Sequence, residues 1–591
     1  MTARNNYFIH NAFVVNELKV FCADVLIQKG KIAKILKSRT AVDDLLFEDG
    51  TVFIDATGKY LLPGVIDVHV HFREPGLTHK GDFFTESRAA VAGGVTSVMD
   101  MPNVIPPTTT TAGCKERFNL AKNKFFTNYS FYIAATEDNA NELKQIDNSL
   151  VCGVKLFMGS STGNLLVENE EILKTIFQLK NIPVAVHCED ESIIKANMQK
   201  AKQQYGENVP IEQHAEIRSE EACFRSSQKA VEMARKYGTR LHVLHLTTAK
   251  ELALFSSDYP KITAEACVSY LCLDKTDYPR LGTCMKCNPS IKNADDRAAL
   301  FDAVVSGKIA SIASDHAPHT AEEKNNSYFL APSGLPMIQH TLPLMLEFCH
   351  EKKLSLETLV DRMCHTPARI FNVKERGFIK EGFSADLVLV DLEAETKIEP
   401  KNIHYKCGWS PFTDKLLHSR IEKTFVNGEQ VYDNGKFAKK PHGKPLEFVR
   451  KSCILFLLVF SLVFSSCGNK KTMIEKPKDL IERQAFEKIL MDVYLIEGEV
   501  RSNIRVEHFD SLRLWTTAEL TAMYEKNGIT HEQFMNSYAY YVKNPELSEE
   551  MMKNIVNQLV EMQAKEEAKQ KEKDSIEISK IKIEDVLKRK H

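Results

Sequence analysis

The sequence predicts an α/β protein: a (β/α)8 TIM barrel carrying a small β-sandwich domain built from its amino- and carboxyl-terminal flanks, with an all-α region appended behind. Three observations predict this. Between about residues 58 and 370 short apolar runs alternate with helical stretches, and such alternation over roughly 250 to 300 residues is the usual extent of a parallel barrel. Short strand-like pieces with turn signals lie on both sides of it, at 1–57 and 371–445, so the two sets can complete one small sheet domain. Past residue 450 the composition changes abruptly, and 591 residues are in any case too many for one hydrophobic core.

From the amino terminus, Ala23-Asp-Val-Leu-Ile-Gln-Lys-Gly-Lys-Ile32 alternates as a hairpin does and turns at Lys29-Gly30. Met1 to His10 is polar and lacks a signal-peptide pattern, so this part of the chain is expected in the cytoplasm. Barrel strands are expected at Leu61–Ile66, Val95–Met99, Phe131–Ala134, Gly153–Phe157, Val184–Val186, Leu241–His245, Lys261–Ala264 and Ile309–Ala313. Ala385–Val390 and Thr424–Val431 supply the second set of flanking strands. At Arg450-Lys451 two cations precede the apolar run Cys453–Phe464 and then Ser465-Ser466-Cys467-Gly468. That run is short for a membrane span and the right size for a signal-peptide core. Residues 450–467 therefore resemble a bacterial lipoprotein signal with Cys467 as the acylated residue. The reading implies inner-membrane association through 453–467 with residues 468–591 translocated; an accidental joining of two neighbouring genes is the alternative. Behind it Ile481, Ala485, Ile489, Val493 and Ile496 recur at helical spacing, and the chain ends in a charge-rich run. This portion resembles small helical bacterial lipoproteins of no known activity.

With 43% apolar and 26% charged residues and a formal net charge of −2, the chain has no field for nucleic acid, which is excluded as a partner. Its fourteen cysteines are scattered through the first 467 positions without disulfide spacing, as in a reducing compartment. Cys284-Met-Lys-Cys287 has redox or zinc spacing but no second pair, so packing is the expected role.

The chemistry concentrates at the ends of the apolar runs, which a barrel gathers on one face. In Asp67-Val-His69-Val-His71-Phe-Arg73-Glu-Pro-Gly76 the strand period of two turns both imidazoles to one side, within reach of one ion. Lys155, His187, His245 and Asp315 follow later runs, in Gly153-Val-Lys155-Leu-Phe, His187-Cys-Glu-Asp190, His242-Val-Leu-His245 and Ser314-Asp315-His-Ala-Pro-His319. Each alone has an ordinary structural reading, whereas together they read as one metal site, because buried polar groups without partners cost about 1–3 kcal/mol each. His242 competes with His245, but lies three positions earlier and so is expected on the opposite strand face.

In this order the motifs resemble the dihydroorotases of the amidohydrolase superfamily, over nearly all of residues 7–440. The resemblance implies a zinc held by His69, His71 and Asp315, a second zinc held by His187 and His245, and a bridging Lys155 carboxylated by CO₂ to a carbamate. Paired zincs lower the pKa of a shared water, so a nucleophile forms without Ser or Cys. By the same resemblance Asp315 is the catalytic residue, moving the proton between that water and the ring nitrogen as N-carbamoyl-L-aspartate and L-dihydroorotate interconvert in pyrimidine biosynthesis. Arg73, with a planar fork suited to a carboxylate, and Asn103, Asn288 and His319 are the implied substrate contacts. After Asn288 this chain has Pro-Ser-Ile-Lys where the family more usually has Pro-Pro-Leu-Arg. The implied partner is a small-molecule substrate and the implied assembly a homodimer. An allantoinase or hydantoinase would keep the metals and lose the carboxylate clamp, which Arg73 argues against; a catalytically dead scaffold would lack the ligands, which are all present.

Overall fold

The computed structural model describes residues 6–37, 47–147, 149–159, 165–450, 477, 479–502, 520–542, 550–551, 554–555 and 557–558, with the side chains of 494–502 and 539 left aside. The expected lipoprotein-like run, from Lys451 onward, and the charge-rich carboxyl end lie outside the described residues. The chain divides into two compact units, Met1–Cys453 and Ile454–His591.

In the first unit β1 (Tyr7–Asn16) and β2 (Lys19–Gln28) turn through Glu17-Leu18, and β2 and β3 (Lys31–Leu36) turn through Lys29-Gly30. All four turn residues have positive φ (48°, 59°, 51° and 83°), the mirror-image turn whose twist matches the strands it joins. β4 (Val52–Asp55) and β5 (Tyr60–Pro63) then pair with β1 in parallel.

The barrel follows: β6 (Val65–Val70), β7 (Val95–Asp100), β8 (Asn128–Phe131), β9 (Ile133–Ala134), β10 (Val154–Phe157), β11 (Val184–His187), β12 (Leu241–Val243), β13 (Ile262–Cys267) and β14 (Ser311–Ala313). β6-β7-β8 and β9 through β14 are parallel ladders; β8 and β9 continue one another across Tyr132, so the nine segments make eight staves. The ring closes where Val70 bridges His316 and the His71 amide donates to the His316 carbonyl at 2.7 Å. Nearly every barrel-strand residue is buried, as parallel strands covered by helices must be. The helices begin on side chains that accept their free amides: Asp82 before Phe83–Ala92, Asp190 before Glu191–Tyr205 and Ser219 before Glu220–Tyr237.

β15 (Leu387–Asp391) returns antiparallel to β5, the short pair β16 (Thr396–Lys397) and β17 (Leu416–Leu417) stands apart, and β18 (Arg420–Val426), β19 (Glu429–Asp433) and β20 (Lys436–Phe437) extend the sheet outward. The expected sandwich is one hydrogen-bonded path, β20-β19-β18-β15-β5-β1-β2-β3, curled on itself. Three strand steps separate β1 from β18, roughly 14 Å in a flat sheet. The Tyr7 and Phe425 rings are nevertheless 5.2 Å apart, and a Cβ on Gly428 would lie 2.4 Å from Gly30 Cα. The curl encloses a core of residues such as Val25, Ile27, Leu61, Leu387 and Phe425. Beyond it residues 443–450 run along the barrel: the Tyr129 amide donates to the Lys444 carbonyl and the Leu446 amide to that of Tyr129, at 3.0 and 2.8 Å, while Leu446 and Phe448 are buried.

In the second unit, helices Arg483–Ser502 and His531–Val542 share a core of Ile481, Phe486, Ile489, Leu490, Phe534 and Tyr541. The expected Ile481, Ile489 and, in part, Val493 lie on the buried face, whereas Ala485 is exposed. Phe486 and Leu490 join the face, larger side chains that bury more apolar area.

Candidate active site

All ten expected site residues line one cavity at the carboxyl ends of the barrel strands, together with Phe157, Ala317, Ser333 and Gly334. His69 sits within the end of β6 and His71 just beyond it, Lys155 lies in β10, His187 closes β11, and Asp315 stands two residues past β14. Alternation does put His69 and His71 on one side: their rings are 5.4 Å apart and each Nε2 is 3.2 Å from Asp315 Oδ1. The outer nitrogens are taken, His69 Nδ1 by Glu265 Oε1 at 2.6 Å and His71 Nδ1 by Asn103 Oδ1 at 2.7 Å. Carboxylate and amide oxygens only accept, so both imidazoles carry a proton on Nδ1, and each in its neutral form turns a bare Nε2 toward Asp315. Across the cavity His187 Nε2 meets Glu189 Oε2 at 3.0 Å, its Nδ1 faces His245 Nε2 at 2.9 Å, and His245 Nδ1 is buried with no partner among the described residues.

Burial drives the charges of these groups. It lowers His71 to about 4, beyond what Asp315 restores, so this imidazole is neutral. It pushes Lys155 down to about 8 despite Asp315 and Glu265, and the ammonium stands 4.6 Å over the Phe157 ring. Burial alone would raise Asp315, yet contact with His69 and His71 in their protonated forms holds its carboxyl well below the usual carboxylate range. Arg73, Asp315 and His245 also hold positive φ, at 69°, 46° and 41°, a conformation uncommon outside glycine.

Arg73 and His319 form the other wall. Arg73 Nε donates to the Pro318 carbonyl at 3.1 Å. Lys80 Nζ, which can only donate, lies 3.0 Å from His319 Nδ1, so Nδ1 accepts and Nε2 bears the proton, donated to the Ser333 carbonyl at 3.1 Å. Burial, with Arg73 and Lys80 adjacent, holds His319 far below its ordinary pKa, and neutral. Arg73 Nη2 is thus 3.1 Å from a donor rather than an acceptor, and no carboxylate pairs with Arg73 among the described residues. Asn288 Oδ1 accepts from Ser333 Oγ at 3.1 Å on the same rim.

The structure corrects the placement of His242. It does not lie on the opposite face: its Nε2 is 3.2 Å from Glu265 Oε2, while the His245 backbone amide donates to Glu265 Oε1 at 3.2 Å. β12 ends at Val243 and the left-handed backbone at His245 resets the alternation, so both residues turn inward, one layer apart. Glu265 itself was missed, although a carboxylate next to the apolar run ending at Ala264 signalled it. Glu189 was quoted within its motif without a role, and it anchors His187 while pairing closely with Arg218.

The donor set fits metal ions. His69 Nε2, His71 Nε2 and Asp315 Oδ1 converge, offering three lone pairs when the imidazoles are neutral, and the 3.2 Å from each Nε2 to Oδ1 matches the roughly 3.3 Å edge of a tetrahedron with 2.0–2.1 Å metal bonds. His187 Nδ1 and His245 Nε2, at 2.9 Å, offer a second pair beside Lys155.

The profile of the family described as "Amidohydrolase family" matches residues 60–431, and that of a domain of unknown function, DUF4296, matches 477–565. A dihydroorotase of Methanosarcina mazei is 33% identical over 441 residues, spanning 72% of this chain and 94% of that protein. An allantoinase of Streptomyces avermitilis is 28% identical, spanning 72% and 94%. Among solved structures, the L-hydantoinase (dihydropyrimidinase) of Arthrobacter aurescens superposes with a TM-score of 0.70 at 27% identity, covering 75% of this chain and 100% of that one. From these matches the chain belongs to the amidohydrolase family and, within it, groups with the dihydroorotases.

Proposed function

We propose that the first unit is a zinc-dependent cyclic amide hydrolase that interconverts N-carbamoyl-L-aspartate and L-dihydroorotate. One observation carries the choice of substrate: Arg73 is buried, oriented through Nε by the Pro318 carbonyl, and has no carboxylate partner among the described residues, so its fork is available to a substrate carboxylate. Asn103, Asn288 and His319 line the same cavity and would complete the polar contacts. His69, His71 and Asp315 would hold one ion, His187 and His245 a second, with Lys155 between them as a carbamate. A buried lysine with lowered pKa, which supplies the neutral amine that CO₂ requires, supports that bridge. When bound, such a pair makes water nucleophilic near neutral pH and polarises a carbonyl. Asp315, kept ionised, accepts the proton of the attacking water and returns it to the ring nitrogen as the amide bond breaks; in the reverse direction it takes the proton from the carbamoyl nitrogen. The metal-loaded full chain should turn over dihydroorotate faster than allantoin or dihydrouracil. A preference for either of the latter rejects the substrate assignment, and an intact mass showing unmodified Lys155 in active enzyme rejects the carbamate.

Residues 450–467 are read as a lipoprotein-type signal that leaves the enzyme inside the inner membrane and residues 468–591 outside. The support is the cation pair ahead of a short apolar run ending at Ser465-Ser466-Cys467-Gly468. No described helix is long and apolar enough to cross a membrane. Fractionation with antibodies to each half is the test: an intact chain wholly in the soluble fraction, with its tail shielded from protease added to spheroplasts, rejects this reading.

A further inference from the structure

A second cavity, of about 700 Å³, opens at the opposite end of the barrel, where β11, β12 and β13 begin. Pro183, Leu241 and Lys261 place it at the amino ends of these strands, away from the catalytic cavity. Among the described residues its walls carry five cations, Lys180, Arg240, Lys261, Arg369 and Arg450, and no carboxylate. The nearest compensation is partial. Arg369 shares Asp361 at 3.0 Å with Arg362, while Arg240 and Lys180 donate to the carbonyls of Ile370 and Tyr237, which carry no charge. Arg450 gives one Nη to the Cys152 carbonyl, and its Nε and other Nη are buried with no partner among the described residues. Burial lowers Arg450 to about 10 with the charge of Arg240 working in the same direction, so the two guanidiniums repel each other across a site that lacks a counter-charge. Cations gathered around one cavity are costly unless an anion joins them, and planar guanidiniums match the oxygens of a phosphoryl group. Ile370, Val373 and Pro260 supply apolar wall for a ligand body, and the volume is that of a small-molecule site.

We propose that this cavity binds a phosphate group carried on an organic body, at a site separate from the catalytic one. The phosphate can come from a free phosphorylated metabolite or from an anionic lipid headgroup, and three probes separate the sources: inorganic phosphate, ADP, and phosphatidylglycerol vesicles compared with phosphatidylcholine vesicles. Using the zinc-loaded full chain, titration calorimetry should show ADP or phosphate binding that dihydroorotate does not displace. Lys261→Glu, a substitution at an exposed position, should weaken this binding by roughly tenfold or more while leaving zinc content and turnover unchanged. Arg240→Gln serves as the second variant. A lipid source gives instead a phosphatidylglycerol-dependent sedimentation that both substitutions reduce. Binding that dihydroorotate displaces, or absence of soluble binding together with vesicle association indifferent to both substitutions, overturns the proposal.

Discussion

Arg73 shows how much a single side chain decides. Arg73→Lys keeps the charge and loses the fork, so carboxylate binding should weaken by about 1–3 kcal/mol with zinc content intact. Steady-state kinetics beside metal analysis separates the two, and an unchanged KM would remove Arg73 from the substrate wall. Glu265 acts at one remove: it accepts from His69 Nδ1 at 2.6 Å and so aims Nε2 at the ion site. Glu265→Gln should lower metal affinity by roughly 10- to 100-fold, as losing a carboxylate behind a ligating histidine does. Competition with a chelator reads this directly; an unchanged zinc affinity would make Glu265 merely structural. The two residues also differ in legibility. Arg73 stands in a motif whose residue types announce a site, whereas Glu265 gains its meaning only from the partner that the barrel brings across from β6. His242 was misplaced for the same kind of reason, because alternation was carried past the point where β12 stops.

At the scale of elements, hairpins and barrel staves were legible, since both are written in local periodicity: Lys29-Gly30 turns where expected, and every expected run contains or overlaps a strand. The curl of the flanking sheet was not, because it depends on contacts between turns almost four hundred residues apart. Gly428 is one such contact, with φ of 78° and no room for a Cβ against Gly30. Gly428→Ala should cost about 1–3 kcal/mol and lower the thermal midpoint without changing the ligand geometry of the barrel. Calorimetry with parallel zinc analysis tests it, and an unaltered midpoint would mean that the two turns separate freely. The tail helix makes a smaller point. Spacing gave its period, but side-chain size chose Phe486 over Ala485 for the buried stripe.

At the scale of the whole molecule, the strap of residues 443–450 sets where the enzyme unit ends. A chain ending at residue 450 keeps Leu446 and Phe448 in place and should match the full chain in zinc and turnover; one ending at 442 exposes both contacts and should lose about 1.5–3 kcal/mol for each. Equal denaturation midpoints for the two shortened chains would show the strap to be dispensable. The left-handed backbone at Arg73, His245 and Asp315 reaches further. Each such residue costs on the order of 1–3 kcal/mol, and they stand together among the proposed metal ligands, so on that proposal the catalytic end is held in shape largely by what it binds. In a metal-starved cell these loops should be the first openings for proteases, which limited proteolysis of the metal-stripped protein beside the zinc-loaded one would check. The amount of this protein in the cell should then follow zinc supply through degradation, without any change in its synthesis.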